Sequence, residues 1–172
     1  MSTPVGHLLA GAAIGAALGG EHRTWRVTAW CALAGAAADL DFIPGLLIGE
    51  PARFHHAQSH SLPFVLLAAA VAAFLARKGR WRWALIVGLC YASHLALDYV
   101  TYDGSAPYGI PILWPLTSKA FLSPITLLPH VQHTSASVFS FHNFMLMCLE
   151  VGVLGPLLAW SWLAARKPHN LL

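Results

Sequence analysis

The sequence predicts an all-α fold: a polytopic membrane helix bundle of about five transmembrane helices, with a Pro-rich interfacial segment. Three observations predict it. Of 172 residues, 57% are hydrophobic and only 10% are charged, with a mean hydropathy of +0.60, whereas soluble domains carry roughly 25% charged residues. The apolar runs are separated by short turns that hold most of the Lys and Arg. The stretch 103–140 is apolar, yet prolines interrupt it too often for a spanning helix. No repeat and no soluble region stands out, so residues 1–172 read as a single membrane-embedded domain.

Each element follows in order. Thr3 and Pro4 read as an N-cap and first helical residue of a helix over 5–20. Its Gly11, Gly15 and Gly19 form a small-residue stripe that admits a close neighbour, which places this helix centrally. No Lys or Arg precedes this run, so it lacks the flank of a secretory signal and is expected to stay as a transmembrane helix. A polar turn, 21–26, leads to a second helix over 27–38, which Pro44 and Gly45 end. A loop, 49–61, carries three His, and Ser61 is placed to cap a third helix over 62–76. The basic turn 77–82 precedes a fourth helix from about 83, with His94 and Asp98 near its end. The Pro-rich stretch folds over the helix ends, and a fifth helix runs over 141–165. Cys31, Cys90 and Cys148 lie in apolar runs and read as small core residues.

The charge of +3 points to topology and not to a nucleic-acid partner. Arg23 and Arg26 follow the first helix, Arg77, Lys78, Arg80 and Arg82 the third, and Arg166 and Lys167 the fifth; only Arg53 and Lys119 fall in the alternate loops. The positive-inside rule then sets the N-terminus outside and the C-terminus in the cytoplasm. On that map His7, Asp39, Asp41, His55, His56, His60, His94, Asp98, Asp103, His130, His133 and His142 share the outer side, and only His22 and His169 lie inside.

Ionisable groups at such depth are costly and mark function. His94 and Asp98 are spaced to share one helix face, where they either bind an ion, exchange a proton or hydrogen-bond two helices together. Imidazole and carboxylate without thiolate suit zinc, manganese or iron. The candidates outnumber the four that one zinc ion needs, so more than one ion fits. Such a site can hold a phosphoryl group and activate water. Asp98 can bridge ions, and Asp41 or Asp103 can orient a ligand His or the water. Asp103 precedes Gly104 and reads equally as a turn. His130, His133 and His142 match no motif and read as interfacial, and Glu150, inside the fifth helix, reads as the partner of a buried His or Arg.

The chain resembles the YdjM-like family of membrane-bound metal-dependent hydrolases along most of its length. His7 sits where that family has an N-terminal His before a Gly-rich helix. Asp39-Leu-Asp41 looks like its Asp-x-Asp step, with Ala38 where proline is usual. The stretch 55–62 (HHAQSHSL) is similar to its His-Arg-Gly-x-Thr-His-Ser-Leu segment, with His56 in place of the Arg. His94 and Asp98 match its His-x-x-x-Asp, followed by Thr101 and Gly104, and 114–118 (WPLTS) looks like its Trp-Pro-Phe-Ser. The resemblance implies a metal-dependent hydrolase, more distantly similar to zinc-dependent phospholipase C and the P1-type nucleases.

Together these readings give His7, Asp39, His55, His60, His94 and Asp98 as metal ligands, with Asp41, Asp98 and His56 in catalytic roles. The expected reaction is hydrolysis of a phosphoester, of a lipid or lipid-linked substrate arriving through the bilayer of the inner membrane, on its outer face. The alternative is a non-catalytic metal-binding membrane protein or a transporter. A transporter places its ligands near the midplane on broken helices, whereas here they gather at helix ends.

Overall fold

The computed structural model describes residues 2–50, 53–104, 108–132 and 140–164. His133, Arg166, Lys167 and His169 lie outside them. Among the described residues the structure is all-helical, with no named strand: α1 (Pro4–Leu18), α2 (Trp25–Gly35), α3 (Phe42–Leu47), α4 (Leu62–Leu75), α5 (Arg80–Val100) and α6 (Phe141–Ala164).

Local chemistry sets the helix boundaries. Thr3 caps α1 by accepting from the Gly6 N–H at 3.2 Å, with Pro4 at the first position. Gly19 ends the helix, and Gly20 turns the chain at φ +53°. Thr24 caps α2 through the Val27 N–H at 3.2 Å, so this helix starts two residues before the expected 27. It also ends before Ala38, in a 3₁₀ turn, Ala37–Asp41, that runs into α3. Pro44 therefore does not break α2. It lies in the first turn of α3, where a missing N–H costs nothing. Ser61 sits at the N-cap of α4, but its hydroxyl donates to the Gln58 carbonyl instead of capping. Gly79, at φ +64°, leads into α5, which starts at Arg80 and not at 83.

α1 is central, packing on α2, α5 and α6; α5 also meets α2 and α4. The stripe acts where α1 crosses α2. A Cβ on Gly35 would lie 2.6 Å from the His7 carbonyl oxygen and 3.0 Å from the Gly11 Cα, and one on Gly15 would lie 2.5 Å from the Cys31 Cβ. Only glycine permits that approach. Gly19 does not join this contact. Cys31, Ile86 and Cys90 fill the core beneath the crossing. Cys148, expected in the core, is exposed on α6.

The Pro-rich stretch forms no helix among its described residues. It folds back on the bundle, with Ile110 fully buried against Ala38, Tyr91 and Leu95. The Leu62 N–H donates to the Ile112 carbonyl at 2.9 Å. α5 and α6 are long and apolar enough to cross a membrane, and α2 with 37–47 adds a third candidate bent by 56°. α1 and α4, at 15 and 14 residues, fall short of the roughly 20 that a straight span needs. The described helices thus give two or three candidate spans where the sequence predicts five.

Candidate metal centre

Three elements aim polar atoms at one point. The 3₁₀ turn after α2 presents Asp39, the turn Gln58–His60 presents His60, and α5 presents His94 and Asp98 one helical turn apart. His60 Nε2 and His94 Nε2 face each other at 3.1 Å. Asp98 Oδ2 is 3.2 Å from His94 Nε2 and 3.5 Å from His60 Nε2. Asp39 Oδ1 is 3.5 Å from His94 Nε2 and 3.8 Å from His60 Nε2.

The far side of each ring fixes its tautomer. His94 Nδ1 donates to the Gly35 carbonyl at 2.9 Å, and a carbonyl only accepts. His60 Nδ1 lies 3.2 Å from Asp41 Oδ2. Both Nε2 atoms of the neutral rings are then lone pairs pointing at one another, an arrangement that needs a proton or a cation between them. Asp98 Oδ2 is buried and accepts no hydrogen bond among the described residues. Four ligand atoms bound at zinc distances lie about 3.3–3.4 Å apart, and the five separations above scatter around that value. The residues present fit a divalent ion held by Asp39, His60 and His94, with Asp98 beside the two imidazoles.

His7 adds a second layer. Its ring stacks on His94, centroids 3.5 Å apart, and its Nε2 lies 3.3 Å from Asp98 Oδ1. The Ser2 N–H donates to the same oxygen at 3.1 Å. His7, His94 and Asp98 form a second possible ligand group, and His55, His56 and His60 a third. Asp41 ties these layers together. It faces His55 Nδ1 at 3.0 Å through Oδ1 and accepts from the Ser59 hydroxyl at 2.8 Å through Oδ2. The Tyr91 hydroxyl holds the Ser59 carbonyl at 2.9 Å.

Burial opposes charge on His60, but hydrogen bonds to Asp39 and Asp41 and the charge of Asp98 outweigh it and hold the imidazole up at about 9. In the metal-free pocket a proton therefore stands where the ion would. His56 behaves oppositely: burial, with His60 and His55 beside it, pushes its imidazole far below the usual range. Its backbone has φ +62°, its Nδ1 lies 3.6 Å from Asp103 Oδ2, and its Nε2 is buried without a partner among the described residues.

All seven residues named from the sequence as metal or catalytic candidates besides His56 thus share one cluster, and His56 borders it through His60. Asp103 does close a turn, accepting from the Gly109 N–H at 2.9 Å, and also faces His56. His130 and His142 stand apart, His142 Nε2 donating to the His130 carbonyl at 2.8 Å. Sequence reading missed the Ser2 N–H and the Gly35 carbonyl, backbone groups with no side-chain signal. Glu150, expected to pair with a buried His or Arg, instead binds the α1 N-terminus: its Oε1 accepts from the Ser2 hydroxyl at 2.6 Å and the Thr3 N–H at 2.8 Å. The signal was an acidic residue inside an apolar run.

A family model described as YdjM inner membrane protein matches residues 1–167. No curated protein and no solved structure matches the chain.

Proposed function

The chain belongs to the YdjM inner membrane protein family, and from that premise we propose that it is a membrane-bound metal-dependent hydrolase acting on a phosphoester. The observation that carries the reading is the pair of opposed Nε2 atoms on His60 and His94, closed in by Asp39 and Asp98. A bound zinc, manganese or iron ion would supply Lewis acidity toward a phosphoryl oxygen and lower the pKa of a bound water to about 7.

The chain's own groups divide the remaining work. Asp39, His60 and His94 would hold the ion, with Asp98 beside His94. Asp41 fixes the His60 ring by its Nδ1 and steadies His55. His7 packs flat on His94 and engages the outer oxygen of Asp98. Asp103 opposite Nδ1 of His56 favours the tautomer that leaves Nε2 as an acceptor, able to take a hydrogen bond from a water or a substrate hydroxyl. His94, His60 and Asp98 are closed off from solvent, while Asp39 keeps 16% of its side chain exposed and marks the way in. The His-x-x-x-Asp pair supports the likeness to zinc-dependent phospholipase C and the P1-type nucleases, which rests on that motif.

Helix geometry supports a site on the outer side. Arg80 and Arg82 begin α5, and Asp98 lies 18 residues beyond Arg80, about 27 Å along the axis. That length approaches the roughly 30 Å of a hydrocarbon core, so basic residues and the ligand cluster sit at opposite faces. Arg82 also donates to the Leu18 carbonyl at the far end of α1. On this reading α1 and α4 cross as short spans beside the bent pair, giving five.

A second reading has its own observation: His60, His94 and Asp98 are sealed from solvent, as in a closed structural site. Metal analysis of the purified protein, with turnover of phospholipids and lipid phosphates measured with and without chelator, separates the two. Hydrolysis abolished by chelator, by His94→Ala and by Asp98→Ala is the expected result. Turnover that survives metal removal would sink the mechanism; tightly held metal without turnover would favour the structural site.

A further inference from the structure

α5 and α6, the two long apolar helices, each pack on α1, and a cleft of about 300 Å³ opens between them. Leu97 and Val100 wall it from α5, Val153 and Leu154 from α6, and Leu127 and Leu128 from the Pro-rich stretch. Backbone bonds hold those last two in place. The Leu127 N–H donates to the Val100 carbonyl at 2.7 Å, and the Leu128 carbonyl accepts from the Tyr102 N–H at 2.9 Å. Among the described residues the one ionisable group lining the cleft, Glu150, is taken up by Ser2 and Thr3, so these walls present hydrocarbon.

We propose that this cleft seats one hydrocarbon chain of a membrane lipid, with the lipid's polar end beside the Asp98 pocket. The occupant follows from position. The cleft lies between two helices long and apolar enough to cross a membrane, where bilayer hydrocarbon would be the medium, and its volume is at the lower end for ligand clefts. The α6 face around it continues as exposed Leu149, Val153 and Leu157. Orientation follows from connectivity. Leu97 lines the cleft while the next residue, Asp98, enters the metal centre, and Ser2 touches both Glu150 and Asp98. The assignment of the polar end rests on the hydrolase reading; the chain site does not.

The test is photolabelling of the full chain in vesicles of phosphatidylethanolamine and phosphatidylglycerol, with a trace of phosphatidylglycerol carrying a diazirine in its acyl chain. Adducts should concentrate on Leu97, Val100, Val153 and Leu154, several-fold above the exposed Leu66 and Phe74 of α4. Val153→Trp should cut them at least fivefold, and the milder Leu154→Phe should do so in part. Labelling as dense on α4, adducts indifferent to both variants, or cross-links joining two copies through the cleft would overturn the proposal. Concentrated labelling without phosphoester turnover would remove the hydrolase reading and leave the cleft standing. Turnover with uniform labelling would do the reverse.

Discussion

His60 and His94 meet Nε2 to Nε2 at 3.1 Å, and each commits its Nδ1 to a separate acceptor. Two imidazoles held this way cannot both be neutral and at ease without something positive between them. The protein should therefore purify with a divalent metal and take it up again after chelation. His60→Ala or His94→Ala should weaken zinc affinity by more than the roughly 10–100-fold that loss of an outer partner costs. Competition with a chromophoric chelator measures this. X-ray absorption should find nitrogen and oxygen neighbours only, since Cys31 and Cys90 are buried in the core below the helix crossing and Cys148 is exposed on α6. A sulfur ligand would refute the assignment.

Asp41 touches three groups and binds no metal on this reading. It faces His60 Nδ1 and His55 Nδ1 and accepts from Ser59. Asp41→Asn keeps the shape but removes the charge that fixes both rings. Zinc affinity should fall about 10–100-fold while the fold persists, as read by the same competition and by helical circular dichroism. An affinity equal to the parent's would make Asp41 a bystander.

His60 also sets a pH dependence. Its imidazole is raised from 6.5 to about 9 in the metal-free protein. A raised pKa means the folded state binds the proton more tightly than the unfolded state does. The stabilisation is complete below pH 6.5 and is lost as pH climbs through 9. The full shift is worth on the order of 3 kcal/mol. Metal-free protein in detergent should therefore melt at lower temperature as pH rises across that window. Zinc binding should tighten over the same range, since His60 must release its proton. Calorimetric titration at pH 7.5 in two buffers of different ionisation enthalpy should count close to one proton released. Proton uptake on binding would contradict the arrangement.

The ligand cluster was legible because the chemistry was local and rare. His94 and Asp98 share a helix face by spacing alone, and Asp39, Asp41 and the His of 55–60 stood out in a chain this apolar. The crossing of α1 and α2 was half legible: Gly11 and Gly15 gave the stripe, but its partner Gly35 and the carbonyl that anchors His94 belong to backbone geometry. The end of α2 was misplaced because Pro44 looked like the breaker, whereas the chain had already tightened into a 3₁₀ turn at Ala37. That turn is what lets Asp39 and Asp41 serve different shells. By length and composition α5, α6 and the bent pair pass as spans, while α1 and α4, at 15 and 14 residues, are shorter than a straight span needs, a length that an apolar run alone does not reveal.

Glu150 supplies the last expectation. The Ser2 hydroxyl and the Thr3 N–H donate to its Oε1, and the Thr3 hydroxyl donates to its Oε2, all out of water. This fixes the start of α1, and through it the Ser2 N–H on Asp98. Glu150→Leu strips every acceptor and leaves three buried donors unpaired, each at about 1–3 kcal/mol. Glu150→Gln keeps one oxygen for Ser2 and the Thr3 N–H and turns an amide toward the Thr3 hydroxyl, so it should lose far less. Thermal denaturation in detergent should rank parent, Gln and Leu in that order, and zinc affinity should follow the same order because Asp98 loses its backbone anchor. A Leu variant as stable as the parent would show that α1 is seated by the glycine crossing alone.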